Sequence, residues 1–427
     1  MKVGIRFEGK ELGNIDFSKL EEGNPGVGGT EFLLIQLSYY LIKYCKKIDV
    51  VMYTSNLITL PEIINQVVIE NDVDTLEKVK EDNIDIFIFV PKTRGSDYYK
   101  KLDQLNIRSI AWVHNYIDYR NIERLQKCSS VKRIVFVGRQ HYDAYFDDYI
   151  INKAVYIYNM VVPGKIEKID CKLKEKSVTY VGALIPTKGF HKLAKQWKAI
   201  LKEVPDAKLY VIGSGKLYDR FAEMGPQNIA EKRYETKLMK YLSKNENLLD
   251  SVCFCGTMGV EKEKIIEKTK VGVANPTGIS ETFCLSAVEF EAVGIPVVSY
   301  KGYGLLDTIS DKHTGLLIKT GKQLREAIVT LLKDNETNSL YGANGQLFYN
   351  QNFTPEIIIK EWEKLFHEVM KGDSCKIIYP NDNMMDDWKW LRILNHKLKN
   401  LFGFNKLPSL AFMVSYIKQN IKKILKR

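Results

Sequence analysis

The stretch SETFCLSAVE, residues 280–289, holds two glutamates, Glu281 and Glu289, eight positions apart. LSAVEFEAVG reads as a helix ended by Gly294, with Pro296 opening a strand. Glu281 lies just before that helix, where unpaired amides and the positive end of the dipole offer a seat for a phosphate or a sugar hydroxyl. Glu289 lies about two turns further on, among Phe290, Ala292 and Val293. If it is buried there it needs a partner, and ribose hydroxyls would serve; if it is exposed it needs none. Spacing alone leaves both readings open, exposure being the commoner. Upstream, YVGALIPTKGFHKL ends a strand at Gly182 and opens a helix after Lys188-Gly189. Lys188 could reach a diphosphate lying over the strand ends, or be an ordinary solvated loop lysine. GNPGVGGTEF, residues 23–32, puts glycines ahead of another helix, where backbone can approach an anion closely. It is neither the GxGxxG of dinucleotide binders nor a P-loop, and a plain tight turn reads the same. LYVIGSG, 209–215, runs a strand into a further Gly-rich turn.

The elements that would hold these residues alternate. KVGIRF, DVVMYTS, IDIFIFV, SIAWVHN, RIVFVG and VYIYNM read as strands separated by helical patterns such as EFLLIQLSYYLIKYCKK. SVTYVGAL, AKLYVIGSG, SVCFCGT, KVGVANP, IPVVSY and GLLIK repeat the theme. Alternation of this kind predicts an α/β protein with two Rossmann-like domains of mostly parallel sheet. A Pro, Gly and charge-rich break at 162–175 reads as the linker. The expected organisation is an N-terminal Rossmann-like domain over 1–165, a C-terminal Rossmann-like domain over 166–372, and a tail over 373–427. The helical pattern at 355–371 is expected to close the second domain. Ligands in such sheets bind beyond the carboxyl ends of the strands, so two facing domains would make a cleft.

Composition bounds the rest. The 427 residues are 45% hydrophobic and 27% charged, as in a globular protein. Seven scattered cysteines suit a reducing cytoplasm. Cys253 and Cys255 lie inside a strand-like run, with nothing to complete a tetrahedral metal set, and read as packing. The remaining histidines, at 141, 191, 313, 367 and 396, form no HxxxH or HExxH set. Asp72-Val-Asp74 has a DxD form but reads as surface. MKVGIRFEGK lacks the apolar core of a signal peptide, and FLLIQLSYYLI is too short to span a bilayer.

Ten of the eleven net positive charges fall between Trp388 and Arg427, a stretch without one acid. There Leu410, Met413, Val414, Ile417, Ile421, Ile424 and Leu425 recur at helical spacing beside Lys418, Lys422, Lys423 and Lys426. A basic amphipathic tail of this kind, 385–427, predicts contact with an anionic membrane surface. Docking on the globular body, a partner protein or RNA are the alternatives.

Taken together and in order, VGALIPTKG, VIGSG, the Glu281/Glu289 pair, EAVGIPVV and HTGLL resemble the retaining, nucleotide-sugar-dependent glycosyltransferases of family 4, which have the GT-B fold. GGTE at 28–31 and AWVHN match more loosely. The resemblance covers about residues 1–370. It implies that Glu289 bonds the ribose, that Glu281 contacts the transferred sugar, and that the amides of Phe283, Cys284 and the adjoining Leu285 hold sugar and diphosphate. Lys188 would neutralise the diphosphate, with Gly28 and Gly29 facing it, Thr257 and Met258 near the base, and His114 by the anomeric carbon. Glu281, His114 and Lys188 would be the catalytic residues. No metal and no cofactor beyond the nucleotide sugar, most simply a UDP-hexose, would be needed. The acceptor would be a glycan, carried on polyprenyl diphosphate, and the enzyme would sit in the cytoplasm at the inner face of the plasma membrane. No nucleic-acid partner is expected. An epimerase on the same fold and a non-catalytic partner of another transferase are the rival readings. Two departures stand out. The arginine usual after VG is Ala183, which leaves Lys188 alone unless Arg139 joins it. The glycine usual after Glu-x-Phe is Cys284.

Overall fold

Short β-branched runs, most of them followed by a turn and a helix, build two separate parallel sheets in the computed structural model. All residues are described except 10–11, 13–14, 92–93, 165–173, 218–221, 381–387, 403–408, 411, 415 and 418–427.

In the first domain β1 (Lys2–Phe7), β2 (Asp49–Thr54), β3 (Asn65–Val68), β4 (Ile86–Phe89), β5 (Ser109–Val113), β6 (Val131–Phe136) and β7 (Ala154–Tyr156) lie in the order 3-2-1-4-5-6-7. Between them run α1 (Gly29–Tyr44), α2 (Asp72–Glu81), α3 (Ser96–Gln104), α4 (Tyr119–Lys127) and α5 (Arg139–Asp143). The central strands are buried throughout, which is why they read as continuous apolar runs rather than alternating ones.

The second domain holds β8 (Ser177–Val181), α6 (Phe190–Glu203), β9 (Lys208–Ile212) and α7 (Lys232–Leu242). A small ribbon of β10 (Ser243–Lys244) and β11 (Asn247–Leu248) leads to β12 (Val252–Gly256), α8 (Glu263–Ile266), β13 (Val271–Val273) and α9 (Leu285–Ala292). Then come β14 (Val297–Tyr300), α10 (Leu305–Thr308), β15 (Gly315–Ile318), α11 (Gly321–Lys333) and α12 (Asn335–Asn352). Its six-stranded sheet has the order 12-9-8-13-14-15. Both orders reverse direction beside the first strand of the domain, and a crevice opens at each such point.

The chain then returns to the first domain. The helix expected to close the second domain, α13 (Pro355–Lys371), packs instead on α1, with Trp362 fully buried and its ring 5.0 Å from that of Trp112 in β5. Its apolar face, Ile358, Ile359, Trp362, Leu365 and Phe366, covers the first domain's core.

The tail follows the same side. Tyr379 packs 5.3 Å from Phe146, and α14 (Lys389–Phe402) lies against the first domain. Arg392 and Lys399 are buried in this contact rather than solvated. Residues 410, 412–414 and 416–417 are helical; the positions from Lys418 onward in the predicted stripe lie outside the described residues. Among the described residues, no helix is long and apolar enough to cross a membrane.

Candidate active site

A cleft of about 880 Å³ separates the two sheets. The loops that build it include 24–28 ahead of α1, 114–118 after β5, 182–188 after β8, 257–262 after β12, and 275–284 leading into α9. Glu281, Lys188, His114, Glu289 and the other positions singled out in the sequence all line it, from Gly28 and Gly29 to Thr257, Met258 and the turn 283–285.

The centre is a charge pair. Lys188 Nζ donates to Glu281 Oε2 over 2.8 Å, and Asn275 Nδ2 donates to the same oxygen over 2.7 Å. Glu281 is buried, so its charge needs these partners. Lys188 is fixed from behind, where its carbonyl accepts from the Tyr180 hydroxyl at 2.9 Å. Asn275 was invisible to motif reading: it stands six residues before Glu281 and reaches it only because the loop folds back through Gly278.

Directly beyond, α9 starts at the left-handed residue Cys284, φ 78°. No side chain caps it, and the amides of Leu285 and Ser286 have no protein partner among the described residues. A helix start so exposed to a cavity attracts anions. The φ explains why glycine suits this position and why cysteine is a departure. Burial pushes the Cys284 thiol up to about 12, so it stays protonated and is no nucleophile.

Glu289 faces the cleft and is not an exposed surface acid; Lys262 Nζ donates to its Oε2 over 2.9 Å. Lys262, in the helical turn before α8, was not anticipated. It also bears on the missing arginine. Arg139, the candidate to assist Lys188, does not line the cleft: it is buried, and its Nε donates to both Asp143 carboxylate oxygens over 3.1 Å. That bifurcated contact, with an Nη2 donation to the Tyr379 carbonyl, already engages the guanidinium. Ala183 is buried at the cleft wall, and Lys262 is the second-domain cation beside Lys188 that lines the cavity among the described residues.

The first domain contributes His114, whose carbonyl accepts from Thr282 Oγ1 over 2.6 Å across the cleft. Burial lowers its imidazole to about 3, so it is neutral at physiological pH and can exchange hydrogen bonds but not act as a cation. Its Nε2 has no partner among the described residues. Gly29 meets α9 from the other side: a Cβ there would lie 2.7 Å from Leu285 Cδ1. Further along the same wall, buried Arg94 pairs with Glu8 and with Asp72, and Arg6 Nε also pairs with Asp72 over 3.2 Å. Asp72, read from the sequence as plain surface, therefore neutralises two buried guanidiniums.

Residues 163–348 match the family model Glycosyl transferases group 1. The capsular polysaccharide biosynthesis glycosyltransferase CapM of Staphylococcus aureus is 26% identical over 201 residues, 47% of this chain and 48% of that protein. The chain thus spans about half the length of that relative. Among solved structures, sucrose-phosphate synthase from Thermosynechococcus elongatus superposes with a TM-score of 0.61 at 18% identity, covering 87% of this chain and all of the other. HepE of Anabaena, solved in complex with UDP and glucose, does so at 0.61 and 15% identity, covering 86% of this chain and all of HepE. Two parallel-sheet domains about a cleft, with the matched sequence in the second, make this a GT-B chain that carries a glycosyl transferases group 1 domain over residues 163–348.

Proposed function

We propose that the protein transfers a hexose from a nucleotide sugar to a glycan acceptor, with retention of anomeric configuration. The contact between Lys188 Nζ and Glu281 Oε2, 2.8 Å long at the open start of α9, supports this most. It sets a cation for a leaving diphosphate beside a carboxylate for sugar hydroxyls, which is where the two charges of a breaking glycosyl–phosphate bond develop. Lys188 and the α9 amides stabilise the diphosphate. Glu281, held by Asn275, orients the sugar. Neutral His114 bonds a sugar hydroxyl near the anomeric carbon. Glu289 takes the ribose, and its partner Lys262 then turns toward the phosphates, supplying the charge that Ala183 does not. These groups supply the positive charge the reaction needs, so no metal is invoked. The acceptor's own hydroxyl loses its proton to the departing phosphate, so no glycosidase-like acid and base pair is required.

Uracil is the preferred base, because HepE was solved in complex with UDP. The acceptor, in this reading, is lipid-linked and lies at the cytoplasmic face of the plasma membrane, where the basic tail would hold the enzyme. A screen of UDP-, GDP- and ADP-sugars for binding and slow hydrolysis tests the proposal. Glu289→Ala should weaken binding of the preferred nucleotide sugar by roughly tenfold or more, the worth of a hydrogen bond to a charged group. Wild-type binding and hydrolysis by that variant would remove the ribose assignment.

A further inference from the structure

α14 is docked inside out. Arg392 Nε donates to Asp147 Oδ1 over 2.8 Å, and its guanidinium also donates to the carbonyls of Asp143 and Ala144 over 2.7 Å each. Asn395 Nδ2 donates to Asp147 Oδ2 over 2.9 Å, and Lys399 Nζ donates to the Asp147 carbonyl. His396 lies with its ring 4.8 Å from that of Phe146. The polar face thus faces the protein. Trp390, Leu394, Leu398 and Leu401, spaced four, four and three apart, share the opposite face. They are 69%, 46%, 39% and 76% exposed, with exposed Lys397 among them. A helix normally buries such a stripe and solvates its charges.

The chain continues to the mouth of the cleft. Phe412 packs with its ring 4.4 Å from that of Tyr119, and Tyr416 stacks on Phe412. Tyr119 opens α4, between Asp118 and Asn121, which both line the first-domain side of the cleft. Tyr416 and Ile417 are more than half exposed.

We infer that the outward face of α14, with Tyr416 and Ile417, seats the enzyme on an anionic lipid surface beside the acceptor side of its cleft. This rests on the proposed reading that the acceptor is lipid-linked. Three observations select lipid over a second copy or another protein. The stripe carries a tryptophan and a lysine, which suit the boundary between acyl chains and headgroups. Apart from the inward-facing Arg392 and Lys399, the chain from 388 on carries eight basic residues and no acid, so its charge matches an anionic leaflet and would repel a second copy of itself. The patch also adjoins the acceptor side of the cleft, where a lipid-borne glycan would enter. Within the expected tail, the described residues that present this face are those of α14 with Tyr416 and Ile417, and Arg392 and Lys399 serve as anchors to Asp147.

The test is co-sedimentation of the full chain with vesicles of phosphatidylglycerol in phosphatidylcholine, and with phosphatidylcholine alone. The wild type should pellet with the first and not the second. Trp390→Ser combined with Leu401→Ser should lower partitioning by about tenfold or more, since both side chains lose apolar burial, and nucleotide-sugar binding should not change. Wild-type partitioning by this variant would overturn the inference. So would equal binding to uncharged vesicles, or a dimer in solution that the variant dissociates. Vesicle binding that persists with no nucleotide-sugar binding at all would count against glycosyl transfer and leave the lipid surface standing.

Discussion

At the residue scale the site turns on Cys284. A non-glycine residue at φ 78° costs about 1–2 kcal/mol, and neighbouring Ser280 (φ 57°) and Asn275 (φ 31°) are left-handed too. Strain concentrated in one loop beside a cavity marks a place held for function. Cys284→Gly should relieve it, while glycine's extra freedom in the unfolded chain offsets the gain, so stability should change by less than about 1 kcal/mol. Nucleotide-sugar affinity, read by calorimetry, should hold or rise, because the α9 amides lose an obstructing side chain. A tenfold loss would mean that the thiol itself contacts the donor. The same loop shows what could be read without coordinates. Glu281, Lys188 and Glu289 were legible because their roles follow from position relative to a helix start and a strand end. Asn275 and Lys262 were not, because each meets its glutamate across a fold-back or a second loop, and no local period records that.

At the element scale the two domains are joined by a buried acid. Asp307 in α10 accepts from the Gln140 amide over 2.8 Å, at the start of α5 in the other domain. Glycine at 138 leaves room for the approach: a Cβ there would lie 2.7 Å from Asp307 Oδ2 and 3.1 Å from the Thr282 carbonyl oxygen, so the carboxylate would have to shift. Burial raises the Asp307 carboxyl to about 8 from 3.8, with Asp143 adding to the rise and Arg139 opposing it. The folded chain therefore keeps a proton that the unfolded chain releases above about 3.8, and this contribution to stability is lost as pH rises toward 8. Buried His114 and His141, both lowered to about 3, act oppositely, costing stability as pH falls below 6.5. Comparing Asp307→Asn with the wild type cancels the histidine effects. The variant's stability should decline less between about pH 4 and 8, by at most about 1.4 kcal/mol per pH unit, in urea titrations at several pH values. Parallel curves would show that Asp307 is ionised in the fold. The pattern of strands was readable because buried parallel strands are unbroken apolar runs. β3 was missed: NQVV sits at the sheet edge, with Asn65 and Val68 exposed, and a half-wet edge lacks that signature.

At the scale of the whole molecule, the chain crosses between domains twice, and the second crossing is the one sequence order misassigned. α13 follows directly on the second domain, so adjacency suggested that it belonged there. An amphipathic stripe tells that a face is buried but not against what. Here Trp362, Phe366 and Ile358 complete the core under α1, so the first domain depends on residues from beyond the end of the second. Trp362 is fully buried between Trp112 and Phe366, with ring separations of 5.0 and 5.7 Å. Trp362→Ala should cost about 3–5 kcal/mol, the usual loss for a large core aromatic. The loss should fall on the first domain. Hydrogen exchange should quicken in α1 and β5, and protection in β8, β9 and β13 should stay near the wild-type level. A variant that instead loosened the second sheet would place α13 energetically where sequence order had put it. The expected outcome would make α13 a strap, tying the stability of the first domain to the chain that leaves the second and limiting how far the cleft can open.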